Sequence, residues 1–224
     1  MLPTPEIRNL DYDKVYEPAE DSFLLLDCFE QEQSFLKSKF LGKFTIVTEI
    51  GTGSGIVTSF IQQNVINQAL FLATDLNPHA CRAAINTIHD NQQNPGLFAM
   101  DAIQMNLTTA IRDNQTDILV FNPPYVPAQD VPEIPSQDDD PSWLDLALLG
   151  GDKGMLVTWN VLNSLDVILS DNGVAYILFC ARNLPDEVAQ VMTQRGWDVQ
   201  AIIHRKAGWE VLTVLRFTKQ KQSL

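Results

Sequence analysis

Asn122-Pro123-Pro124-Tyr125 brings together a carboxamide, a stiff backbone and an aromatic ring. The four residues close the apolar run Asp117-Ile118-Leu119-Val120-Phe121, which is of strand length. Proline carries no backbone N–H, and the residue before a proline is pushed out of the helical region. The chain must therefore leave this strand in an extended turn. Such a turn offers the Asn122 side chain, the free Pro123 carbonyl and the Tyr125 ring to a flat NH2 group. The same residues also fit a plain loop exit with a capping Asn, and four residues alone do not decide between the two.

A second chemical pattern lies upstream. Thr45-Ile46-Val47-Thr48-Glu49-Ile50 is a β-branched run that breaks into Gly51-Thr52-Gly53-Ser54-Gly55, followed by helical spacing through Ile56, Phe60 and Ile61. Strand, glycine turn and helix form the first half of a nucleotide-binding βαβ unit. The glycines are spaced G-x-G-x-G, whereas a dinucleotide fingerprint needs its third glycine one position later. Glu49 before the turn would also repel a pyrophosphate. The strand Ala69–Thr74 runs into Asp75, and the run Gly96–Met100 runs into Asp101. Three carboxylates at successive strand ends suit a cationic ligand that carries ribose hydroxyls. S-adenosylmethionine has a sulfonium, an ammonium and a diol. Asp75, 24 residues after Gly51, is placed for the diol, and Asp101 for the adenine amino group.

These groups need a frame. Pro18 and the acids after it suit a helix start that continues through Phe23-Leu24-Leu25-Leu26. Asn77-Pro78 opens another helix, a helical patch is expected around Ile103 to Ile111, and a long amphipathic helix runs from Leu156 to Ile168. Further strands are predicted over Val174–Phe179, Val199–Ile203 and Val211–Phe217, with a helix from Pro185 to about Arg195. The expected fold is α/β: one Rossmann-like domain with a seven-stranded, mostly parallel sheet and helices on both faces. The last two strands read as a hairpin that inserts an antiparallel strand. Residues 1–15 read as a flexible segment and 16–224 as the domain. From Gln129 to Asp145 there are six acids, no Lys or Arg, and three prolines, the composition of an exposed loop or lid.

Composition narrows the function classes. With 45% hydrophobic and 19% charged residues, the chain is globular. Its net charge of -13, from 15 Lys+Arg against 28 Asp+Glu, argues against unaided grip on phosphate backbones. Cys28, Cys81 and Cys180 are scattered and form no CxxC pair, as expected of free thiols in a reducing compartment. His79, His89 and His204 have no metal-ligand spacing, so no metal site is expected. No run reaches the roughly 18 to 20 apolar residues of a membrane span. A soluble protein of the cytoplasm, or also of the nucleus, is expected.

Glu49 to Gly55, Asp75, Asp101 and Asn122 to Tyr125 together resemble class I S-adenosylmethionine-dependent methyltransferases that act on planar amide or amine nitrogens. Tyr16-Glu17-Pro18-Ala19-Glu20-Asp21-Ser22 narrows the resemblance to the eukaryotic and archaeal branch of the HemK-like protein glutamine methyltransferases. The resemblance implies methylation of the glutamine in the Gly-Gly-Gln loop of the class I translation release factor. It implies a cofactor site made by Tyr16, Ser22, Glu49, Gly51, Gly53, Asp75, Leu76, Asp101, Ala102 and Asn122, with Asp21 and Ser22 near the methionine end and the role carried to Ser22. Asn122, Pro123, Pro124 and Tyr125 would bind substrate, with Asn122, Pro123 and Tyr125 acting on the reacting amide. Set beside the bacterial relatives, the chain is expected to lack their separate N-terminal helical domain.

The glutamine amide is a poor nucleophile because its lone pair is shared with the carbonyl. Two acceptors, Asn122 Oδ1 and the Pro123 carbonyl, would fix its plane and favour positive charge at nitrogen. The alternatives are an N6-adenine methyltransferase of DNA or RNA, and a methyltransferase of another protein residue such as lysine. An enzyme of duplex nucleic acid must flip a base and hold phosphates, for which this charge balance is poor. The third strand, expected at the sheet edge with Phe71, Leu97 and Phe98 on or beside it, is apolar and unprotected. The resemblance implies a small zinc-binding activator subunit as heterodimer partner, with the zinc held by that partner.

Overall fold

The computed structural model describes residues 2–66, 68–92 and 98–220. The elements in order are α1 (Glu20–Lys39), β1 (Thr45–Ile50), α2 (Ile56–Asn64), β2 (Ala69–Asp75), α3 (Pro78–Asn91), β3 (Ala99–Gln104) and β4 (Thr116–Phe121). They continue with α4 (Asp145–Leu148), α5 (Leu156–Leu162), α6 (Leu165–Ile168), β5 (Leu169–Cys180), α7 (Pro185–Gln194), β6 (Trp197–Ala207) and β7 (Glu210–Lys219).

The seven strands form one sheet in the order β3-β2-β1-β4-β5-β7-β6. Pairings from β3 through β5 are parallel, while β7 runs antiparallel to both β5 and β6. The inserted antiparallel strand is the one the hairpin reading called for. Alternation along β4 divides the core: Ile118 and Val120 face the layer of α1 and α2, and Leu119 and Phe121 face the layer of α5 to α7. Gly55 (φ +78°) joins two helices. A Cβ there would lie 2.6 Å from the Ala84 Cα, so the third glycine brings α2 against α3.

Four expectations need correction. First, residues 2–15 are bonded to the domain at several points. Leu2 N–H donates to Glu30, Glu6 and Asn91 exchange two hydrogen bonds, Asn77 Nδ2 donates to the Lys14 carbonyl at 2.7 Å, and Val15 is buried. Second, the chain from Ile103 to Ile111 is not helical. Ile103 belongs to β3, Leu107 has a positive φ, and no helix stands between β3 and β4 among the described residues. The segment's Asn106, Thr108 and Thr109 are poor helix formers. Third, the helix from Leu156 breaks at Asn163-Ser164 into α5 and α6. Fourth, β3 is the edge strand as expected, but its register (Leu70↔Ala99, Leu72↔Asp101) carries it to Gln104 rather than ending it at Met100. Phe71 is buried in the core and Phe98 packs edge-on against it at 5.9 Å, so neither is bare edge surface. Leu97 and Gly96 lie outside the described residues.

Candidate active site

Parallel pairing of β1 with β4 sets Ile50 beside Phe121, so the glycine turn and Asn122-Pro123-Pro124-Tyr125 leave adjacent strand ends. Between them opens a cavity of about 420 Å³, within the range of small-molecule sites. Tyr16, Ser22, Glu49, Gly51, Gly53, Asp75, Leu76 and all four residues from Asn122 to Tyr125 line it. Asp101 and Ala102 do not. The continued register of β3 leaves Asp101 in mid-strand and exposed. The cavity wall at that strand end is Met105, Asn106 and Leu107. Met105 N–H bonds the Asp75 carbonyl at 2.9 Å, and Thr74 Oγ1 donates to the Leu107 carbonyl at 2.9 Å.

Asp75 accepts from Gly53 N–H at 3.0 Å and from Asn77 N–H at 2.9 Å, which ties the glycine turn to the end of β2. Burial raises its pKa to about 6, against the pull of those backbone donors. Glu49 is wholly buried, and one oxygen accepts from Thr52 Oγ1 at 3.0 Å, Thr58 N–H at 3.2 Å and the Thr58 hydroxyl. Burial lifts its pKa to about 7; the Thr58 and Thr52 bonds oppose the rise, and the Asp75 charge adds to it.

Asn122 carries the most informative geometry. Its Nδ2 donates to Asp21 Oδ2 at 2.9 Å. Turning the amide over would set Oδ1 against that carboxylate, so the orientation is chemically fixed. Oδ1 is buried and finds no protein partner. An unsatisfied buried acceptor costs roughly 1–3 kcal/mol, which makes it a group kept for a ligand. Asp21 Oδ1 in turn accepts from Ser22 N–H at 2.7 Å and Tyr16 OH at 3.4 Å. The Pro123 carbonyl also meets no protein donor among the described residues. Tyr125 OH donates to Glu210 Oε2 at 3.0 Å, and burial with the nearby Asp21 and Glu210 charges raises its pKa, so the phenol stays neutral.

The turn Gly150-Gly151-Asp152-Lys153-Gly154 braces the motif from behind. Gly154 has φ +68°, and a Cβ on it would lie 2.0 Å from the Tyr125 carbonyl oxygen. Asn183 Nδ2 bonds the Tyr125 carbonyl at 3.2 Å. The acidic stretch forms one wall: Val131, Pro132, Ile134 and Trp143 reach the cavity. Trp143 Nε1 donates to the Gln137 carbonyl at 3.0 Å, and His79 Nε2 meets the Asp138 carbonyl at 2.7 Å. The resemblance pointed to Asp21 beside the cofactor but not to its hold on Asn122, and nothing in the sequence pointed to Asn77, Met105 to Leu107 or Trp143.

The methyltransferase small domain family matches residues 21–134. The eRF1 methyltransferase catalytic subunit mtq2 of Schizosaccharomyces pombe is 37% identical, over 96% of this chain and 95% of that protein. The chain is a HemK-like methyltransferase. Human methyltransferase HEMK2 is 33% identical over 93% of this chain and 91% of its own length. The E. cuniculi Mtq2-Trm112 complex holds a chain that superposes with a TM-score of 0.66 at 26% identity, covering 92% of this chain and 99% of that one. The methyl donor of this HemK-like methyltransferase is S-adenosylmethionine. The site fits it. No protein atom lies within 4 Å of a Cβ built on Gly53, so the glycine turn faces open cavity. Asp75 lines the cavity at the end of β2, where a carboxylate would bond a ribose diol.

Proposed function

We propose that this enzyme methylates the side-chain amide nitrogen of the glutamine in the Gly-Gly-Gln loop of a class I translation release factor, in the cytoplasm. The observation that carries this reading is the buried, unpartnered Asn122 Oδ1, held toward the cavity by Asp21. S-adenosylmethionine supplies an electrophilic methyl group. The protein's own task is to present a flat NH2 group to it. Asn122 Oδ1 and the Pro123 carbonyl accept the two N–H bonds and fix the plane of the amide. They also favour the positive charge that develops at nitrogen. Tyr125, neutral and anchored by Glu210, packs against that plane. The names of the relatives in Schizosaccharomyces pombe and Methanocaldococcus jannaschii, an eRF1 methyltransferase and a putative protein N5-glutamine methyltransferase, support the amide over an adenine or a lysine. Charge supports it too, since 28 acids against 15 bases suit a basic protein better than a nucleic acid.

The solved relative assembles with Trm112, and we propose a small zinc-binding activator subunit for this chain as well. Among the described residues, no helix follows β3 to cover the sheet face there. On that face Ile46, Leu70, Leu72 and Ile103 are half-buried and belong to neither core cluster. A subunit seated along β3 would cover them and pair the open edge. The deciding experiment for the activity incubates the co-expressed complex with labelled S-adenosylmethionine. Purified release factor and adenine-containing oligonucleotides are offered in parallel, with mass spectrometry of the product. Label on the factor's glutamine is expected. Label on the oligonucleotide alone, or on a lysine, refutes the reading.

A further inference from the structure

Residues 2–16 cross the helical layer as a strap that ends at the mouth of the cavity. Leu2 N–H donates to Glu30 of α1, Asn64 of α2 donates to the Pro3 carbonyl, and Glu6 exchanges two hydrogen bonds with Asn91 at the far end of α3. The strap then returns along α3 toward its first turn. There Val15 is buried with Ala80 and Ala83, and Leu10 packs beside them. Val15 and Tyr16 themselves line the cavity. This apolar patch is small and joins neither main core cluster, so the strap's hold at the mouth leans on a polar tie.

That tie is Asn77, buried at the N-cap of α3. Its backbone N–H donates to Asp75 Oδ1 at 2.9 Å, its Oδ1 accepts from His79 N–H at 2.9 Å, and its Nδ2 donates to the Lys14 carbonyl at 2.7 Å. The amide can stand only this way round, because an N–H faces one end and a carbonyl the other. The second Asp75 oxygen accepts from Gly53 N–H at 3.0 Å. One chain of hydrogen bonds thus runs from the strap to α3, to the end of β2 and to the glycine turn. Capping α3 needs only the Asn77 oxygen, which a serine would supply as well. The donor to Lys14 does something that no cap requires. It fixes the residue directly before Val15 and Tyr16.

We propose that Asn77 is a positioning residue for S-adenosylmethionine, keeping the Val15–Tyr16 wall of the cavity closed while it holds Asp75. The inference goes beyond the substrate reading above, since it concerns the methyl donor alone. A strap that docks only part of the time lowers the apparent affinity by its docked fraction. By linkage, a cofactor that meets this wall shifts the strap toward its docked state.

The test sets Asn77→Ser, which keeps the cap and loses the donor, beside Asn77→Ala, which loses both. Each is co-expressed with the proposed activator subunit and compared with wild type by calorimetry of S-adenosylmethionine binding and by thermal melting. The serine variant should melt above the alanine variant yet bind S-adenosylmethionine roughly three- to tenfold more weakly than wild type, about one hydrogen bond's worth. Wild-type affinity in the serine variant makes Asn77 a helix cap and no more, and overturns the proposal. Trypsin supplies a readout on the unaltered enzyme, which stands even where a variant folds poorly. The bond it cuts after Lys14 contains the carbonyl that Asn77 holds, so cleavage there requires the tie to open. S-adenosylmethionine should slow the appearance of the fragment that begins at Val15 severalfold. Cleavage after the exposed Arg8 should keep its rate. Equal rates after Lys14 with and without the cofactor, or equal slowing at both sites, overturn the proposal.

Discussion

Asn122 serves as an acceptor only while its amide is held one way round, and Asp21 is what holds it. In the proposed mechanism, replacing Asn122 by Ala removes the acceptor that would meet the developing charge. The expected loss is on the order of 100-fold to 1000-fold in kcat, with cofactor affinity retained. Asp21→Asn keeps the shape but lets the Asn122 amide turn over, and costs about tenfold in kcat, near one hydrogen bond's worth. Single-turnover rates beside calorimetry of S-adenosylmethionine binding separate these effects. An Asn122→Ala enzyme with more than about a tenth of the wild-type rate disproves the amide clamp. The two buried carboxylates behave differently, because their pKa values are raised, Glu49 to about 7 and Asp75 to about 6. Their unfolded values are about 4.3 and 3.9. Between those values and the folded ones, the folded chain binds more protons than the unfolded chain. Their contribution to stability is therefore full near pH 4 and is lost as pH rises through 7. The melting temperature of the cofactor-free protein should fall over this window, and Glu49→Gln should flatten the slope. Parallel melting curves for the two proteins from pH 5 to 8 would dismiss the raised Glu49 pKa.

At the scale of elements, what the sequence discloses depends on how far its signal travels along the chain. The glycine turn and the Asn-Pro-Pro-Tyr exit are written in consecutive residues, and both stand where expected at the ends of β1 and β4. The apolar runs of β4 and β5 mark central strands buried on both faces. The closure of Asp21 on Asn122, 101 positions apart, leaves no trace in either neighbourhood. Asp101 misled because an apolar run is a poor ruler for a strand end. The ladder with β2 decides it, and that ladder continues to Gln104. The helical patch after β3 misled for a related reason: spacing without a cap or tertiary support does not make a helix. The lack of a helix there among the described residues leaves Leu70 and Leu72 half-covered on an edge sheet face, apolar surface that the proposed partner subunit would cover. Leu70→Asp with Leu72→Asp should abolish co-purification of the activator subunit. S-adenosylmethionine binding by the chain reports whether it still folds. Full recovery of the partner with the doubly charged variant places the interface elsewhere.

For the whole molecule, a net charge of -13 is a long-range fact. The stretch from Gln129 to Asp145 carries six acids and no Lys or Arg, and it forms one wall of the cavity through Val131, Pro132, Ile134 and Trp143. The field at the mouth is therefore negative beyond the reach of any single contact, and it gathers a positively charged substrate surface before docking. Such steering acts on encounter, not on the methyl transfer step inside a closed cavity. Salt shortens its range, from about 14 Å near 0.05 M to about 4 Å near 0.5 M by the screening law that gives about 8 Å at 0.15 M. Raising ionic strength across that interval should lower kcat/KM for the release factor severalfold through KM, while kcat at saturating substrate stays level. A synthetic glutamine-loop peptide with its Arg and Lys replaced by Gln should show no such slope, since it has nothing for the field to act on. Steady-state kinetics at four salt concentrations measure both. A kcat/KM for the factor that rises with salt would mean the acids repel their substrate, and the choice of a basic protein partner would fall with it.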